Sequence, residues 1–293
     1  MELPLESVPN FSEGRVSDTV EAIGAALSAH ARLLDVHADA DHNRSVFTVV
    51  GDERELTPAL LAGISAARER IDLRRHEGVH PRVGAADVVP IVPIRPEDMP
   101  RAKEAAMRLA RRVGDELELP VFLYGELSES LHGPAFFRRG GPEELQRRVD
   151  GGELRPDFGP ARLDPGAGAL LVGARPPLVA FNVNLRGGDI EVAREIAALV
   201  RESGGGFPGV RALGLDLPSR GLVQVSMNVE APQLVSLLEI VTRIRAEAAA
   251  RGVDVSGAEL VGLMPAGPAL RVAGDALGLE GFDSSRVLEL RLR

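Results

Sequence analysis

The 293-residue sequence has no cysteine, no tryptophan, one tyrosine and nine phenylalanines. The absence of cysteine excludes disulfides, thiol nucleophiles, iron–sulfur clusters and zinc sites built on thiolates. The few aromatic side chains and the net charge of −9 argue against nucleic-acid binding, because such proteins need a basic surface that displaces counterions from phosphates.

Long hydrophobic runs are also absent. No apolar stretch approaches the ~20 residues that a membrane helix needs, and the N-terminus lacks the basic and apolar regions of a secretory signal. We therefore expect a cytoplasmic protein with no membrane or nucleic-acid partner. The 44% apolar and 26% charged residues are typical of a soluble globular protein, and the length suggests two domains or two halves.

The order of predicted elements repeats along the chain. Helical spacing and strand-like runs read β-α-β-β-α-β with an extra α-β, and then β-α-β-β-α-β again after about residue 175. This order is typical of split βαβ units with helices on one face of each sheet. We therefore predict an α+β fold, an α/β sandwich of two βαββαβ-type (ferredoxin-like) subdomains that comprise residues 1–176 and 177–293.

Three helix N-termini are predicted from capping patterns. Asp18 followed by Glu21 resembles a capping box, and Thr57 precedes Pro58 as an N-cap precedes a first helical residue. Asp189 precedes an apolar stripe at helical spacing. Each pattern predicts a helix that begins at the residue after its cap.

Two predicted strands carry side-chain amides on one face. Asn182 and Asn184 share a face of one strand, and Gln224 lies on the polar face of another. One interpretation is that these faces simply meet water, as antiparallel sheets allow. Exposed strand faces usually carry Lys, Glu and Thr, however, so the amides favour a partly enclosed surface. We therefore predict that the two sheets face a shared substrate cleft.

The segment Arg74–Arg82 concentrates arginine and histidine, and its His76-Glu-Gly-Val-His80 matches the H-E-x-x-H zinc motif. That motif needs both imidazoles on one continuous helix. Gly78 interrupts a helix and Pro81 disfavours the α conformation at His80, so we expect no metal site. In such a loop a histidine can be a general base while arginine holds an anion. The alternative, a histidine that only caps a helix, fits His76 better than His80.

Two further loops are rich in turn-forming residues. Residues 35–41 contain three Asp, but the segment lacks the central Gly and closing Glu of a calcium loop, whereas Arg44 follows at the start of a strand. The Gly- and Pro-rich segment 156–168 matches neither a dinucleotide-binding fingerprint nor a kinase pattern. Such a rigid loop either grips a flat heterocycle or links two domains.

Together with Val8-Pro-Asn-Phe-Ser-Glu-Gly14, these stretches resemble the glutamate formiminotransferase family, a folate-dependent transferase domain that occurs alone or fused to a cyclodeaminase. The resemblance runs from Val8 to about Pro265 and rests on motifs taken in order. They are Asn43-Arg-Ser-Val46, His76 to Arg82, Gly84-Ala with Asp87-Val, Val121 to Gly125, Pro156-Asp-Phe-Gly-Pro160, Gly173-Ala-Arg175, Phe181-Asn-Val-Asn-Leu185, Gln224-Val-Ser226 and Val261-Gly-Leu263.

The resemblance implies transfer of a formimino group from N-formimino-L-glutamate to N5 of tetrahydrofolate, a step of histidine degradation that yields 5-formiminotetrahydrofolate and L-glutamate. It also implies that His80 is the catalytic acid and base, that tetrahydrofolate is a co-substrate, and that the protein is a homodimer. The folate-binding stretch maps onto Gly159, Pro160, Ala161, Arg162, Leu163, Asp164, Pro165, Gly166, Ala167 and Gly168. The side chains expected to bind substrate are Arg44, Arg82, Arg175, Asn182, Asn184 and Gln224.

The chain departs from the family pattern in three places. Glu77 and Val79 replace the usual Lys and Glu of the histidine loop, and His37 replaces an Asp at a strand end. Arg138-Arg-Gly-Gly-Pro-Glu143 stands where the family usually has R-x-G-E-Y-E. Alternatives on the same scaffold are formyl transfer between glutamate and 5-formyltetrahydrofolate, and a non-catalytic folate-binding relative. Retention of His80 favours an enzyme.

Overall fold

The computed structural model describes residues 3–128 and 132–291. Contacts divide the chain into two compact units, Met1–Pro176 (unit 1) and Pro177–Arg293 (unit 2). Each unit has its own β-sheet and its own apolar core, so the predicted α+β fold class is confirmed. No helix within the described residues is long and apolar enough to cross a membrane.

Unit 1 contains a seven-stranded sheet. Its elements are β1 (Leu5–Ser7), β2 (Asn10–Phe11), α1 (Ser17–Ser28), β3 (Arg32–Asp39), β4 (Arg44–Gly51), α2 (Glu53–Arg70), β5 (Ala86–Pro93), α3 (Met99–Glu116), β6 (Val121–Gly125), α4 (Pro134–Arg138), α5 (Gly141–Asp150) and β7 (Leu170–Ala174). The short strands β1 and β2 both lie between β4 and β5, and β3 forms the edge beside β4. Strand β7 runs parallel to β5 and β6 and lies between them.

The sheet of unit 1 is covered on both faces over part of its width. Along β6, Val121 and Leu123 join the core formed with α1, α2 and α3, whereas Phe122 and Tyr124 join a second cluster. That cluster includes Phe137 of α4 and side chains of α5. The prediction of helices on one face is therefore wrong for unit 1, because the insert after β6 supplies an apolar surface of its own.

Unit 2 has the order β-α-β-β-α-β followed by helices. Its elements are β8 (Val179–Arg186), α6 (Ile190–Val200), β9 (Val210–Leu217), β10 (Leu222–Val229), α7 (Leu237–Ala250), β11 (Asp254–Val261), α8 (Ala266–Leu277) and α9 (Leu288–Arg291). The four strands are antiparallel in the order β11-β8-β10-β9. Val225 and Met227 of β10 point into the core, so Gln224 lies on the opposite face.

Two of the three predicted helix caps are wrong. The side chain of Asp18 lies in the first turn of α1 and caps nothing, since the N-cap is Val16. Helix α2 begins at Glu53, where the Asp52 side chain accepts hydrogen bonds in a complete capping box, so Thr57 lies inside the helix. A stronger cap upstream overrides the Thr-Pro signal. The Asp189 cap is confirmed by its bond from the Val192 N–H, 3.1 Å long.

Candidate functional site

The histidine loop connects α2 to β5 and is not helical where the zinc motif would require it. His76 follows a single 3₁₀ turn and has extended backbone angles, with φ −84° and ψ 123°. The imidazoles of His76 and His80 therefore do not lie one turn apart on a helix. This geometry disagrees with the H-E-x-x-H match for the reason given by the sequence, a glycine within the motif and a proline directly after it.

The loop is held against the turn between β3 and β4. The Asn43 side chain donates to the carbonyl oxygen of Glu77 over 2.9 Å, and His76 Nε2 donates to the Asn43 carbonyl over 2.9 Å. A Cβ at Gly78 would lie 2.4 Å from the carbonyl oxygen of His42, so only glycine permits this approach. The loop is therefore fixed on one side by residues that the sequence placed in a separate cluster.

Arg82 fixes the same loop from within. Its guanidinium donates to the carbonyl oxygens of His76 over 2.8 Å and of Gly78 and His80 over 3.2 Å. Three carbonyls on one guanidinium hold the loop in a curve. Binding of substrate by Arg82 stays a prediction, but the structure gives this side chain a role in shaping the loop that carries His80.

His80 is held in a defined tautomer. Its Nδ1 lies 2.8 Å from the Pro81 carbonyl oxygen, which can only accept, so Nδ1 carries the proton and Nε2 keeps a lone pair. Burial lowers the pKa of His80 well below its usual value, and the charges of Arg44 and Arg138 lower it further. At neutral pH the ring is therefore neutral, with Nε2 available as a base.

The charged centre beside His80 is Asp87, which is fully buried. Its Oδ2 accepts from Arg44 Nη1 over 2.8 Å and from Arg138 Nη2 over 2.5 Å, and its Oδ1 accepts from the Val83 N–H over 2.8 Å. The pairing of β5 with β2 shifts at this point, since Asn10 pairs with Val88. Such a bulge turns an extra residue toward the opposite face, which explains why a charged side chain of β5 avoids the apolar core.

The charges in this cluster stabilise one another. Burial acts to raise the pKa of Asp87, but the guanidiniums of Arg138 and Arg44 outweigh it and hold that pKa well below the usual range. Burial lowers the pKa of Arg44 to about 10, which leaves it charged at neutral pH. The Nε of Arg44 also donates to the Asn10 side-chain oxygen over 3.0 Å. The structure thus brings together the predicted residues His80, Arg44 and Arg82.

Asp87 and Arg138 were not predicted as site residues. The signal for Asp87 was present, because it is the one charged residue in a strand, Ala86–Pro93, whose other residues are apolar and buried. Arg138 ends the short helix α4 and carries no comparable local signal. Only the fold brings it to Asp87 from a separate part of the chain.

The predicted folate loop is packed against the histidine loop. The Gly166 carbonyl oxygen accepts from the Leu73 N–H over 2.8 Å, and the Ala169 N–H donates to the Val83 carbonyl over 3.0 Å. Gly168 has φ +71°, and a Cβ there would lie 2.1 Å from the Val83 carbonyl oxygen. The close approach of the two loops therefore requires glycine.

The same loop carries its own internal ties and a surface depression. Asp164 Oδ1 accepts from the N–H groups of Gly166 and Ala167 over 2.8 and 2.9 Å. A shallow depression of about 500 Å³ in unit 1 lies alongside. Its lining residues are Arg68, Gly114, Asp115, Glu118, Gly159, Pro160, Arg162, Leu163, Asp164 and Pro165. Six of the ten residues predicted to bind folate line it, while Ala167 and Gly168 are buried as structural residues.

Arg175 directly follows β7. Its N–H donates to the Ile91 carbonyl over 3.3 Å, so it lies level with Val92, five residues beyond Asp87 along β5. At ~3.3 Å per residue this separation is roughly 16 Å. The Arg175 guanidinium donates to the Pro176 carbonyl over 3.0 Å.

The side chain of Arg175 lies near Tyr124. Burial raises the pKa of the Tyr124 hydroxyl, whereas the charges of Arg175 and Arg138 and a hydrogen bond with Arg175 lower it. Burial also raises the pKa of the half-buried Glu6, and the charge of Arg175 offsets part of that increase. Binding of substrate by Arg175 stays a prediction, and Tyr124 connects the Arg175 side chain to Arg138 and Asp87, which act on the same hydroxyl.

The amides of unit 2 form one hydrogen-bonded cluster. Gln224 Nε2 donates to Asn184 Oδ1 over 2.9 Å, and Asn182 Nδ2 donates to Glu259 Oε2 over 3.3 Å. Gln224 is fully buried, and its Oε1 has no hydrogen-bond donor within the described part of the chain. The three predicted amides are thus neighbours in register, and Glu259 joins them without having been predicted. The shared cleft itself stays a prediction.

Comparison with known proteins identifies a family and several relatives to which this chain is similar. The family model "Formiminotransferase domain, N-terminal subdomain" matches residues 4–175, and "Formiminotransferase domain" matches residues 180–276. Proteins named glutamate formimidoyltransferase from Streptococcus pyogenes and Thermoplasma acidophilum are each 39% identical over 98% of this chain, which covers 98% and 97% of their lengths.

A longer relative is also similar. The rat protein named formimidoyltransferase-cyclodeaminase is 38% identical over 89% of this chain, which spans 50% of that protein. A solved structure of an unknown protein from Galdieria sulphuraria overlaps 90% of the chain with 12% identity and a TM-score of 0.29, too low for a comparison of folds. The family models cover most of the chain and both units, and the chain therefore belongs to the formiminotransferase family.

Proposed function

We propose that this protein transfers a formimino group from N-formimino-L-glutamate to N5 of tetrahydrofolate, giving 5-formiminotetrahydrofolate and L-glutamate. One observation carries the proposal: the hydrogen bond from His80 Nδ1 to the Pro81 carbonyl leaves a lone pair on Nε2, and burial and the charges of Arg44 and Arg138 lower the pKa of this ring. A base next to a cationic site is what proton transfer on an anionic donor needs. The names of the full-length relatives support the same reaction.

In this reaction one bond to carbon forms and one breaks. N5 attacks the formimino carbon, and His80 Nε2 takes the proton that N5 loses. The bond between that carbon and the glutamate nitrogen then breaks, and His80 returns the proton to the departing amine. One imidazole therefore serves as base and then as acid, and the atoms balance without a further reactant.

Tetrahydrofolate acts in this proposal as a co-substrate held by the loop 159–168. The support is the set of hydrogen bonds between this loop and the histidine loop, whereas the shallow depression that the loop also lines has no residue of the His80 cluster in its lining. The amides of Asn182, Asn184 and Gln224 are proposed to hydrogen-bond a substrate, since the buried Oε1 of Gln224 has no donor among residues 3–128 and 132–291. A homodimer belongs to the same proposal and rests on the family resemblance, and a cytoplasmic location stays the expectation drawn from the sequence.

The test mixes purified protein with tetrahydrofolate and N-formimino-L-glutamate and follows one-carbon-substituted folate by absorbance. A parallel reaction offers L-glutamate and 5-formyltetrahydrofolate, which tests the formyl alternative. His80→Ala should lower kcat by a factor of about 10² to 10⁴ while leaving folate affinity and circular dichroism unchanged. His30→Ala, an exposed histidine at the end of α1, is the control and should keep full turnover. Turnover with the formyl donor alone would overturn the proposal.

A further inference from the structure

The carboxylate of Asp87 is shared between two arginines. Arg44 Nη1 and Arg138 Nη2 both donate to its Oδ2, over 2.8 and 2.5 Å, while the Val83 N–H occupies Oδ1. One carboxylate therefore serves two guanidiniums, each with five N–H groups to satisfy. Neither arginine forms the two-bonded fork with Asp87 that is usual for an isolated pair.

The cluster carries more positive charge than Asp87 balances. Two guanidiniums, those of Arg44 and Arg138, form ion pairs with the single carboxylate of Asp87, so this group of three side chains has an excess of one positive charge. His80 adds no negative charge, because it is neutral or cationic. Buried charge is unfavourable unless it is paired, so this arrangement favours an anionic ligand.

A donor group of Arg138 also points to a ligand. The Arg138 side chain is 13% exposed, and its Nε is buried and has no hydrogen-bond acceptor within the described residues. Buried N–H groups are nearly always paired in folded proteins. The unpaired Nε of Arg138 and the excess positive charge of the cluster both favour the same ligand, an oxygen anion.

We infer that Arg138, together with Arg44, binds the α-carboxylate of the amino-acid donor, and that Asp87 positions both guanidiniums for this. The inference rests on the proposed function. The nitrogen that leaves the formimino carbon is bonded to the glutamate α-carbon, which also bears the α-carboxylate. A carboxylate held beside His80 is therefore the one next to the reacting nitrogen. The glutamate carboxylates of folate lie beyond the aminobenzoyl group, far from N5.

Asp87 in this inference is a positioning residue. It is fully buried, and its hydrogen bonds are with the Val83 N–H, Arg44 and Arg138. Its position in the bulge of β5 fixes the carboxylate, and the carboxylate fixes one N–H of each arginine. Arg44 Nε is bonded to Asn10, so the groups directed to the ligand are the remaining Nη N–H groups of Arg44 together with Nε and the remaining Nη N–H groups of Arg138.

The first experiment compares Arg138→Gln, Arg138→Lys and Arg139→Gln by steady-state kinetics. Arg138→Gln should raise the KM for N-formimino-L-glutamate about 10- to 100-fold, as expected for loss of a charged hydrogen bond, and change the KM for tetrahydrofolate less than twofold. Arg138→Lys should recover part of the donor affinity. Arg139 is the matched control, because its side chain is 66% exposed and lies 3.8 Å from a carboxylate oxygen of Glu153.

A donor without the α-carboxylate identifies the group that Arg138 binds. N-formimino-4-aminobutyrate lacks only that carboxylate, so the wild type should use it as poorly as Arg138→Gln uses the full donor. Arg138→Gln should not lower activity with the truncated donor further. An equal loss with both donors would overturn the inference, because Arg138 would then act through the fold or through folate. Asp87→Asn should also raise the donor KM, with a smaller effect on the truncated donor.

Calorimetric binding of L-glutamate separates this inference from the proposed function. Wild-type protein that binds L-glutamate through Arg138 but catalyses no transfer would refute the function and support the inference. Protein that catalyses transfer with an unchanged donor KM in Arg138→Gln would refute the inference and keep the function. If the wild type neither binds L-glutamate nor catalyses transfer, both are overturned. Thermal melting of each variant verifies that unit 1 remains folded.

Discussion

Substitution of Asp87 by Asn should destabilise unit 1 through the two arginines that it leaves behind. The change keeps the size of the side chain and an oxygen for the Val83 N–H, but its NH₂ group then faces two guanidiniums. Removing one partner from a buried ion pair costs about 3 to 5 kcal/mol, because the remaining charge stays buried and uncompensated. We expect a decrease of that size in the free energy of unfolding of unit 1 at pH 7.

The single tyrosine gives this measurement a local probe. Tyr124 is buried in unit 1 and the chain has no tryptophan, so tyrosine fluorescence during urea unfolding reports unit 1 alone. Glu116→Gln is the control, since it breaks an exposed pair with Arg112 and should leave the transition unchanged. The reasoning is refuted if Asp87→Asn unfolds at the urea concentration of the wild type.

The unfolding free energies of the wild type and of Asp87→Asn should depend differently on pH in the acidic range. The pKa of Asp87 is depressed by folding, so its contribution to stability is complete above the unfolded pKa, ~3.9, and is lost as the pH falls toward the folded pKa. The difference in unfolding free energy between the wild type and Asp87→Asn should therefore shrink below about pH 4. A difference that stays constant down to pH 3 would show that its origin is not the carboxylate charge.

Two further predictions concern catalysis and the folate loop. Because the pKa of His80 is lowered, its base form should persist at acidic pH. The value of kcat/KM should therefore stay level as the pH is lowered to 6.5 and should fall only at clearly lower pH. A midpoint at pH 6.5 or above in the pH–rate profile would contradict the assignment of His80 as the base. Gly168→Ala should lower the free energy of unfolding by more than ~1 kcal/mol, because it adds a Cβ 2.1 Å from the Val83 carbonyl oxygen at a positive φ. Gly152→Ala is the control, since Gly152 has a similar φ but open space around it, and this variant should lose less stability. Equal melting temperatures of the two variants would contradict the role given to the contact between the loops.

The catalytic loop could be identified from the sequence because its signals are local. The residues of the segment 74–82 predict an imidazole beside guanidiniums, and the structure places His80 beside Arg44. Asp87 reaches the cluster through a bulge between strands, and a bulge depends on the register of two strands that the sequence does not align. Arg138 arrives from an insert after β6, so only the tertiary fold joins it to the site.

The fold was predicted where a periodic pattern is long and missed where strands are short or buried on both faces. The order of elements in unit 2 follows from alternation such as that of β10. Strands β1 and β2 have three and two residues, too few for a period to show. Strand β7 is a continuous buried run between two parallel neighbours, so it has no polar face to mark it.

The position of β7 between β5 and β6 sets the order of events on the ribosome. Val88 of β5 pairs with Leu171 of β7. The edge of β5 that faces β7 therefore has no partner strand until the ribosome has synthesised the chain through Leu171. At 5–20 residues per second this wait lasts roughly 4 to 17 s. During that time β5 presents an apolar edge that a nascent chain must protect. Unit 1 therefore closes its sheet late in its own synthesis, after the histidine loop and the loop 159–168 have both emerged.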